Sequence, residues 1–299
     1  MIIDFHFHVS TPEHEHPWVM DFLQGQYDGD IYELMDRVLT PEGVRGYLQE
    51  HGVDYAVALA EVSPVTTGNC SNEYVIDFVN QANALPDPPS GPVGRLIPFA
   101  SLNPFIDADL SARLEELVSE HGFRGIKVYP VYQHHYTNDP RMYPLYAKAQ
   151  ELGIPALVHT GSSAFRGARI KYGDPLHLDD VAIDFPDLAL LMAHCGRPFW
   201  YEQAFWMARR HPNVYLEISG LPAKKLLEYF PRLEDIPEKV VYGSDWPGNP
   251  YPRRNIEAIN GLPLSSESKA RILGDNAARL LGLEASGQGE PAAPKEAAA

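Results

Sequence analysis

Short apolar runs alternate with amphipathic segments along the whole chain. The apolar runs predict eight β-strands, at residues 2–8, 55–60, 96–102, 125–129, 154–159, 189–194, 214–218 and 240–245. The amphipathic segments predict helices, among them residues 72–84, 109–121, 140–152, 200–211 and 223–230. Asn72 and Asp109 have the side chains of helix N-caps. Strands that alternate with helices are typical of a parallel sheet with crossover helices.

The number of strand and helix units points to one α/β architecture. Eight such units within about 250 residues is the length of a (β/α)8 TIM barrel, which we therefore predict as a single domain. The alternative is a doubly wound open sheet, a fold that commonly carries a glycine-rich phosphate-binding fingerprint. Neither G-x-G-x-x-G nor G-x-x-x-x-G-K-[ST] occurs in the chain, so the barrel is the better prediction.

Two regions depart from the regular spacing. Residues 9–40 form an insertion after the first strand that is rich in aromatic and acidic side chains. At that end of a barrel strand it would lie over the mouth, so we predict a lid. Residues 285–299 consist mostly of Ala, Gly, Pro and Glu, with little to bury, and predict a disordered tail. The barrel domain then spans residues 1–284.

Composition and charge exclude several classes of protein. The 299 residues include 24 Lys+Arg and 40 Asp+Glu, a formal charge of −16, and no basic cluster that would bind nucleic acid. Two cysteines, Cys70 and Cys195, are too few for a disulfide framework or a thiolate zinc site. Without a basic leader or an apolar run of about 20 residues, we expect a soluble cytoplasmic protein. A homodimer is left open.

Histidines and an aspartate stand at the ends of the predicted strands. His6 and His8 alternate on one face of the first strand and can converge on a divalent ion, although two hydrogen-bonded core histidines explain this pair equally well. Strands five, six and eight end in His159, His194 and Asp245. Packing does not explain polar groups at the ends of apolar strands, and these ends meet at one face of a barrel. The pattern therefore predicts a metal site.

The same alternation sets expectations for the neighbours of the two histidines. Phe5 and Phe7 should point away from the barrel interior, toward the helices. Asp4 shares the parity of His6 and His8, so it is a candidate to hold their rings in one tautomer.

The strand-end motifs together resemble a known superfamily. The D-x-H-x-H start, His159-Thr-Gly, His194-Cys-Gly and Gly-Ser-Asp245-Trp-Pro are similar to the amidohydrolases, from residue 2 to about residue 281. More narrowly they resemble the amidohydrolase-related branch, which includes aminocarboxymuconate-semialdehyde and resorcylate-type decarboxylases. The resemblance implies one divalent metal, usually zinc, with His194 free for acid–base work. The implied ligands are His6, His8, His159 and Asp245.

Lys127 lies at the end of the fourth predicted strand. Binuclear amidohydrolases carry there a carbamylated lysine that bridges two ions, so a carbamylated Lys127 would imply a second ion. Because the branch is mostly mononuclear, we expect an ammonium that holds a substrate carboxylate, with Tyr129 on the same face. Arg169 and Arg197 add positive charge near the mouth, which predicts a small anionic substrate, with ordinary loop solubility as the alternative.

Three functions are compatible with these residues. The first is a metal-dependent hydrolase that cleaves a C–O or C–N bond of a carboxylated molecule through a metal-activated water, with Asp245 and His194 moving protons. The alternative is a metal-dependent non-oxidative decarboxylase, which needs the same ion and the same base. The third is a barrel that binds metal or ligand without catalysis.

Other polar residues carry weaker signals. We expect residues 13–16 (Glu-His-Glu-His) to be a solvated loop, although a role in the lid is an alternative. Glu217 is either an acceptor behind the metal ligands or a structural carboxylate, and Cys195 is expected to pack in the core. His134 and His135 either reach substrate or lie on the surface.

Overall fold

Parallel strands form the wall of a barrel. The computed structural model describes residues 1–89 and 91–283. Its strands are β1 (Ile3–His8), β2 (Tyr55–Leu59), β3 (Glu61–Ser63), β4 (Gly68–Cys70), β5 (Arg95–Phe99), β6 (Ile126–Val128), β7 (Ala156–His159), β8 (Leu190–Ala193), β9 (Val214–Glu217) and β10 (Val240–Val241). They pair in the orders β1-β2-β5 and β10-β9-β8-β7-β6, while β3 and β4 form a separate antiparallel hairpin.

Two bridges join the parallel sheets into a closed ring. Ala100, just after β5, pairs in parallel with Ile126 of β6, and Phe7 of β1 pairs with Trp246 beyond β10. The second seam is reinforced by hydrogen bonds from the His8 amide to the Trp246 carbonyl and from the Asp245 amide to the His6 carbonyl, both 3.0 Å. The predicted eight-stranded TIM barrel is therefore confirmed.

Helices alternate with the strands around the outside. They are α1 (Pro17–Gln26), α2 (Ile31–Val38), α3 (Pro41–Glu50), α4 (Asn72–Ala84), α5 (Leu110–Ser119), α6 (Pro130–Gln133), α7 (Tyr143–Glu151), α8 (Leu178–Asp184), α9 (Tyr201–Arg210), α10 (Leu226–Tyr229), α11 (Pro252–Asn260), α12 (Ser266–Ala270) and α13 (Asn276–Leu280). Asp109 caps α5 as predicted, accepting from the Ala112 amide. The prediction for Asn72 is wrong by one residue, because Ser71 caps α4 and Asn72 instead bonds Ser101.

An irregular register in β1 changes which side chains face inward. Asp4 pairs with Ala56 but Phe7 pairs with Ala58, so one extra residue of β1 lies between them. Phe5 consequently packs inside the barrel against Phe99, whereas Phe7 stacks outside against Trp246. The expectation that Phe5 and Phe7 share the helix-facing side is therefore wrong.

The barrel interior is apolar at one end and polar at the other. Its apolar layers contain Ile3, Phe5, Val57, Leu59, Ile97, Phe99, Leu157, Leu191, Tyr215 and Val241. Ala277 and Leu281 of the α13 region pack against them, and the Leu281 carbonyl accepts from Arg124, which lies just before β6. The amino-terminal end of the barrel is thus sealed by hydrocarbon, which leaves the carboxyl ends of the strands for chemistry.

The insertion over residues 9–40 is seated on the β3–β4 hairpin. Glu15 forms an antiparallel bridge with Gly68, and the Trp18 indole donates to the Thr66 carbonyl at 2.8 Å. Side chains of α1 reach the barrel mouth, as the predicted lid requires. The predicted tail lies outside the described residues. Within residues 1–89 and 91–283, no helix combines the length and apolarity needed to cross a membrane.

Asp4 offers a test of the seam between the first and last strands. Its Oδ1 accepts from the Ser244 amide at 2.8 Å and from the His6 amide at 3.1 Å, with the side chain fully buried. Asp4→Ala leaves two buried amides unpaired, so we expect the free energy of unfolding to fall by about 3 kcal/mol in urea titrations. Asp21→Ala, at an exposed position of α1, is the control and should change it little. Equal stability of the two variants would contradict this account.

Candidate metal centre

Three predicted ligand atoms converge at the carboxyl ends of the strands. Nε2 of His6 lies 3.4 Å from Oδ1 of Asp245, and Nε2 of His8 lies 3.7 Å from the same oxygen. All three atoms fall within 4.8 Å of one another. Ligands about 2.1 Å from a tetrahedral ion stand roughly 3.4 Å apart, so this triad fits a divalent metal.

His159 is close to the triad but outside that group. Its ring is 4.6 Å from the ring of His194, and in the part of the chain that the structure describes its buried Nε2 has no hydrogen-bond partner. Burial and the neighbouring His194 hold the pKa of His159 well below its usual value, so the ring is neutral. A buried nitrogen lone pair without a partner is what a fourth ligand requires.

Glu217 sets the tautomer of His6. Its Oε2 lies 3.0 Å from Nδ1 of His6, and a carboxylate oxygen accepts, so Nδ1 carries the proton and Nε2 is free to bind a metal. The Ser219 hydroxyl donates to Oε2 at 2.7 Å and its amide donates to Oε1 at 2.9 Å. The role expected for Asp4 is therefore wrong, since Asp4 bonds backbone amides of β1 and the last strand, and Glu217 holds the ring.

His194 is arranged as a neutral base that faces the cavity. Its Nδ1 lies 3.1 Å from the Ser219 carbonyl, which can only accept, so Nδ1 is protonated and Nε2 carries the lone pair. Burial lowers the pKa of His194 to about 3, against the influence of Asp245, while Arg197 and Lys127 lower it further. The imidazole is neutral at physiological pH.

Asp245 is ionised. Burial opposes its charge, but His194, a hydrogen bond from His8, and His6 outweigh that effect and hold the pKa of Asp245 well below its usual value. A negative oxygen beside neutral imidazoles suits a cation.

The backbone turns sharply at both His194 and Asp245. His194 and Asp245 have φ of 62° and 66°, in the left-handed region that non-glycine residues rarely adopt. Such conformations cost about 1–3 kcal/mol and persist where the surroundings hold them. These two turns end β8 and β10 earlier than the sequence predicts, and both side chains line the cavity.

Two glycines make room for this arrangement. A Cβ at Gly243 would lie 2.7 Å from Cβ of His6 and collide with the Glu217 carboxylate. At Gly220, with φ of 64°, it would lie 2.8 Å from Oδ2 of Asp245 and collide with the Arg197 guanidinium. Both positions therefore exclude larger side chains.

Lys127 is a buried cation beside the ligands. Its Nζ lies 3.4 Å from Nε2 of His6, and burial lowers the pKa of Lys127 to about 8, while Glu217 and Asp245 raise it. Burial raises the pKa of Glu217, while the hydrogen bonds from Ser219 and the charge of Lys127 lower it and favour the carboxylate. Lys127 therefore has a pKa close to neutral pH, in a site that contains both carboxylates and cations.

A cavity of about 500 Å³ contains most of the predicted site residues. His6, His8, His159, His194 and Asp245 line it, as do Lys127, Tyr129 and Arg197. The Tyr129 hydroxyl donates to the Ala60 carbonyl at 2.9 Å. The placement expected for Arg169 is wrong, because this residue is exposed and does not line the cavity. Its loop turns outward, with the Arg169 amide bonded to the Val131 carbonyl.

Several lining residues were missed by sequence reasoning. Glu61, Phe22, Leu23, Tyr132, Phe165 and Tyr251 line the cavity, and so does Glu15. The expectation of a solvated loop at residues 13–16 is therefore wrong for Glu15, and His16 bonds the Pro64 carbonyl at 2.7 Å. Glu61 had a usable signal, because it follows the apolar run of the second strand as His159 follows the fifth.

The weaker histidine and cysteine predictions have clear outcomes. His134 and His135 do not line the cavity; His134 bonds the Gly167 carbonyl and His135 is buried against Gln133. Cys195 is fully buried in the core, and burial raises the pKa of its thiol well above the usual value. Core packing of Cys195 is confirmed.

The sequence model of the amidohydrolase family matches residues 3–283. The chain belongs to this family. It is therefore an enzyme of a metal-dependent superfamily, which confirms the resemblance and sets aside a barrel that only binds.

Three individual proteins are similar to this chain over most of its length. Gamma-resorcylate decarboxylase of Rhodococcus jostii (strain RHA1) is 24% identical over 304 residues, 84% of this chain and 91% of the relative. An uncharacterised TIM-barrel protein from Bordetella bronchiseptica is 25% identical with a TM-score of 0.75, covering 94% of this chain and 98% of that one. The structure of 5-carboxyvanillate decarboxylase from Novosphingobium aromaticivorans DSM 12444, complexed with manganese and a nitrobenzoic acid, is 16% identical with a TM-score of 0.64, covering 95% and 96%, and shows the fold alone.

Glu217 provides a test of the metal centre. Glu217→Gln replaces the carboxylate behind His6 with an amide that accepts less strongly, so we expect a 10- to 100-fold weaker affinity for Zn²⁺. Competition with a chromophoric chelator measures the affinity, and elemental analysis measures the metal content. Glu228→Gln, at an exposed position of α10, is the matched control. If Glu217→Gln binds Zn²⁺ as tightly as the unchanged enzyme, Glu217 does not contribute to metal binding.

Proposed function

We propose that this enzyme is a metal-dependent decarboxylase of a small carboxylic acid, the chemistry that ranked second on residue types alone. The observation that carries the choice is the relationship to gamma-resorcylate decarboxylase, which extends over most of both chains. The site supports it with a metal-ligand set, two cations and a neutral base around one cavity.

The proposed ligands are His6, His8, His159 and Asp245. Nitrogen and oxygen donors of this kind suit Zn²⁺, which we propose as the single native ion. When bound, a divalent ion supplies positive charge that stabilises negative charge developing on the substrate. In this mononuclear arrangement Lys127 remains an ammonium.

Arg197 and Lys127 are proposed to hold the anionic substrate. The Arg197 guanidinium is anchored by a bond from Nη1 to the Gly220 carbonyl at 2.6 Å, which leaves its other N–H groups for a carboxylate. Lys127 is 1% exposed, so its charge acts with little screening by water.

His194 is the group proposed to carry the proton. Decarboxylation breaks the bond to the carboxylate carbon, leaves the electron pair on the substrate carbon and requires one proton there, with carbon dioxide released. The proton is taken up and released at Nε2, because the hydrogen on Nδ1 is donated to the Ser219 carbonyl. The proton comes from solvent and reaches the substrate carbon through Nε2 of His194, and because burial lowers the pKa of His194 to about 3, the protonated ring gives it up readily. Asp245, whose Oδ2 lies 3.9 Å from Nδ1, stabilises the imidazolium.

Hydrolysis is the second candidate, and one observation favours it. Asp245 is ionised and lies between the His6 and His8 nitrogens and His194, where it can take a proton from an attacking water. In this reaction a C–O or C–N bond breaks and the leaving group receives a proton from His194.

Isotope labelling distinguishes the two reactions. We expect the zinc-loaded enzyme to convert a hydroxylated benzoic acid, tested over a panel that includes 2,6-dihydroxybenzoate, to carbon dioxide and the decarboxylated ring. In D₂O the product should carry one deuterium at the vacated carbon, measured by mass spectrometry and NMR. In H₂¹⁸O the organic product should stay unlabelled. On a carboxylated lactone or amide, incorporation of ¹⁸O into the organic product without carbon dioxide would establish hydrolysis instead.

A substitution at His194 tests its role. His194→Asn removes the proton carrier but none of the proposed ligands, so we expect kcat to fall by about 10²- to 10⁴-fold while metal content stays unchanged. His121→Asn, on the surface, is the control. Retention of kcat in His194→Asn would assign the proton transfer to another group.

A further inference from the structure

Two carboxylates outside the ligand set face the same cavity. Glu15 comes from the insertion and Glu61 from the start of β3, and both line the cavity. Glu61 is 6% exposed, accepts from the Thr67 hydroxyl and has Oε2 3.7 Å from Nδ1 of His8. The antiparallel bridge between Glu15 and Gly68 attaches the insertion to the hairpin that carries Glu61. One rigid unit therefore positions both carboxylates.

These carboxylates lack a cationic partner. Across residues 1–89 and 91–283, no Lys or Arg nitrogen lies within 4.0 Å of either, and His8 is the sole ion-pair neighbour of Glu61. A carboxylate accepts up to about four hydrogen bonds, and the Thr67 hydroxyl supplies one to Glu61, so the remaining acceptor sites in the cavity need further donors. A donor on the substrate would meet this need.

The rest of the cavity shows what such a substrate looks like. Lys127 and Arg197 provide positive charge for a carboxylate, and Val19, Phe22 and Leu23 of α1 provide an apolar wall. A volume of about 500 Å³ is that of a pocket for a small organic molecule. The cavity thus offers acceptors, an apolar surface and cations to one ligand.

We propose that Glu15 and Glu61 form a subsite that accepts hydrogen bonds from a hydroxyl or amino group of the substrate, and that Glu15 determines the preference for acids that carry such a group. The inference rests on the proposed function for the carboxylate end of the ligand. Glu15 belongs to the insertion, so this preference is encoded outside the barrel strands that hold the metal ligands. Glu13, two residues earlier, is exposed and does not line the cavity.

Calorimetry with matched ring acids tests the subsite. The probes are benzoate and its 2-, 3- and 4-hydroxy and amino derivatives, titrated into zinc-loaded enzyme. We expect at least one derivative to bind at least tenfold tighter than benzoate. In Glu15→Gln this ratio of affinities should fall about tenfold. Benzoate itself should bind Glu15→Gln within twofold of the unchanged enzyme. The hydroxy and amino series identify which donor the subsite takes.

Controls separate recognition from folding and from the reaction. Glu13→Gln should keep the full preference, and Glu61→Gln should reduce it as Glu15→Gln does, with thermal melting used to confirm the fold. The proposal is overturned if no derivative binds better than benzoate, or if Glu15→Gln weakens benzoate and its derivatives equally. Carbon dioxide release is measured on the same ligands. If the enzyme still prefers a hydroxy or amino derivative over benzoate but releases no carbon dioxide, the decarboxylase is refuted and the subsite is not. If carbon dioxide is released but no derivative is preferred over benzoate, only the subsite is refuted.

Discussion

The seam between β1 and the segment after β10 is the interaction on which the rest of the structure depends. Here Asp4 accepts from Ser244, and the Asp245 amide bonds the His6 carbonyl at 3.0 Å. These bonds close the barrel, and they also bring Asp245 beside His6 and His8, although these residues lie at opposite ends of the chain. Closure of the barrel therefore also brings the three candidate ligands together, because parallel pairing aligns the carboxyl ends of the first and last strands.

Polar chemistry is confined to one end of an otherwise apolar barrel. Hydrocarbon side chains fill the layers below, and above them Glu217, Ser219 and His194 form a buried hydrogen-bonded network. The network leaves the Nε2 lone pairs of His6 and His194 free, and the proposed function uses one for a metal and one for a proton. In a low-dielectric interior such groups are neutral or paired, and their fixed orientation is what an active site requires. The left-handed turns at His194 and Asp245 are tolerated because closely packed neighbours hold them.

The insertion adds side chains to this cavity that the barrel strands do not carry. The ends of the barrel strands carry the proposed metal ligands, the proposed base His194 and the buried cation Lys127. The insertion provides Glu15 together with an apolar wall, and the hairpin beneath it provides Glu61. If both proposals hold, reaction type and substrate preference are carried by different parts of the chain, as is common for barrels whose loops vary.

The sequence by itself determined the eight strands, the barrel and the strand-end residues, because apolar periodicity and polar strand ends are local features that a barrel converts directly into a site. Tertiary structure alone decided which carboxylate orients His6: parity pointed to Asp4, but Asp4 bonds the Ser244 and His6 amides, and Glu217 at the end of β9 reaches the His6 ring. It also decided that Arg169 faces solvent and that Glu15 faces the cavity. Those outcomes depend on loop paths and on hydrogen bonds between distant residues, which no local pattern encodes.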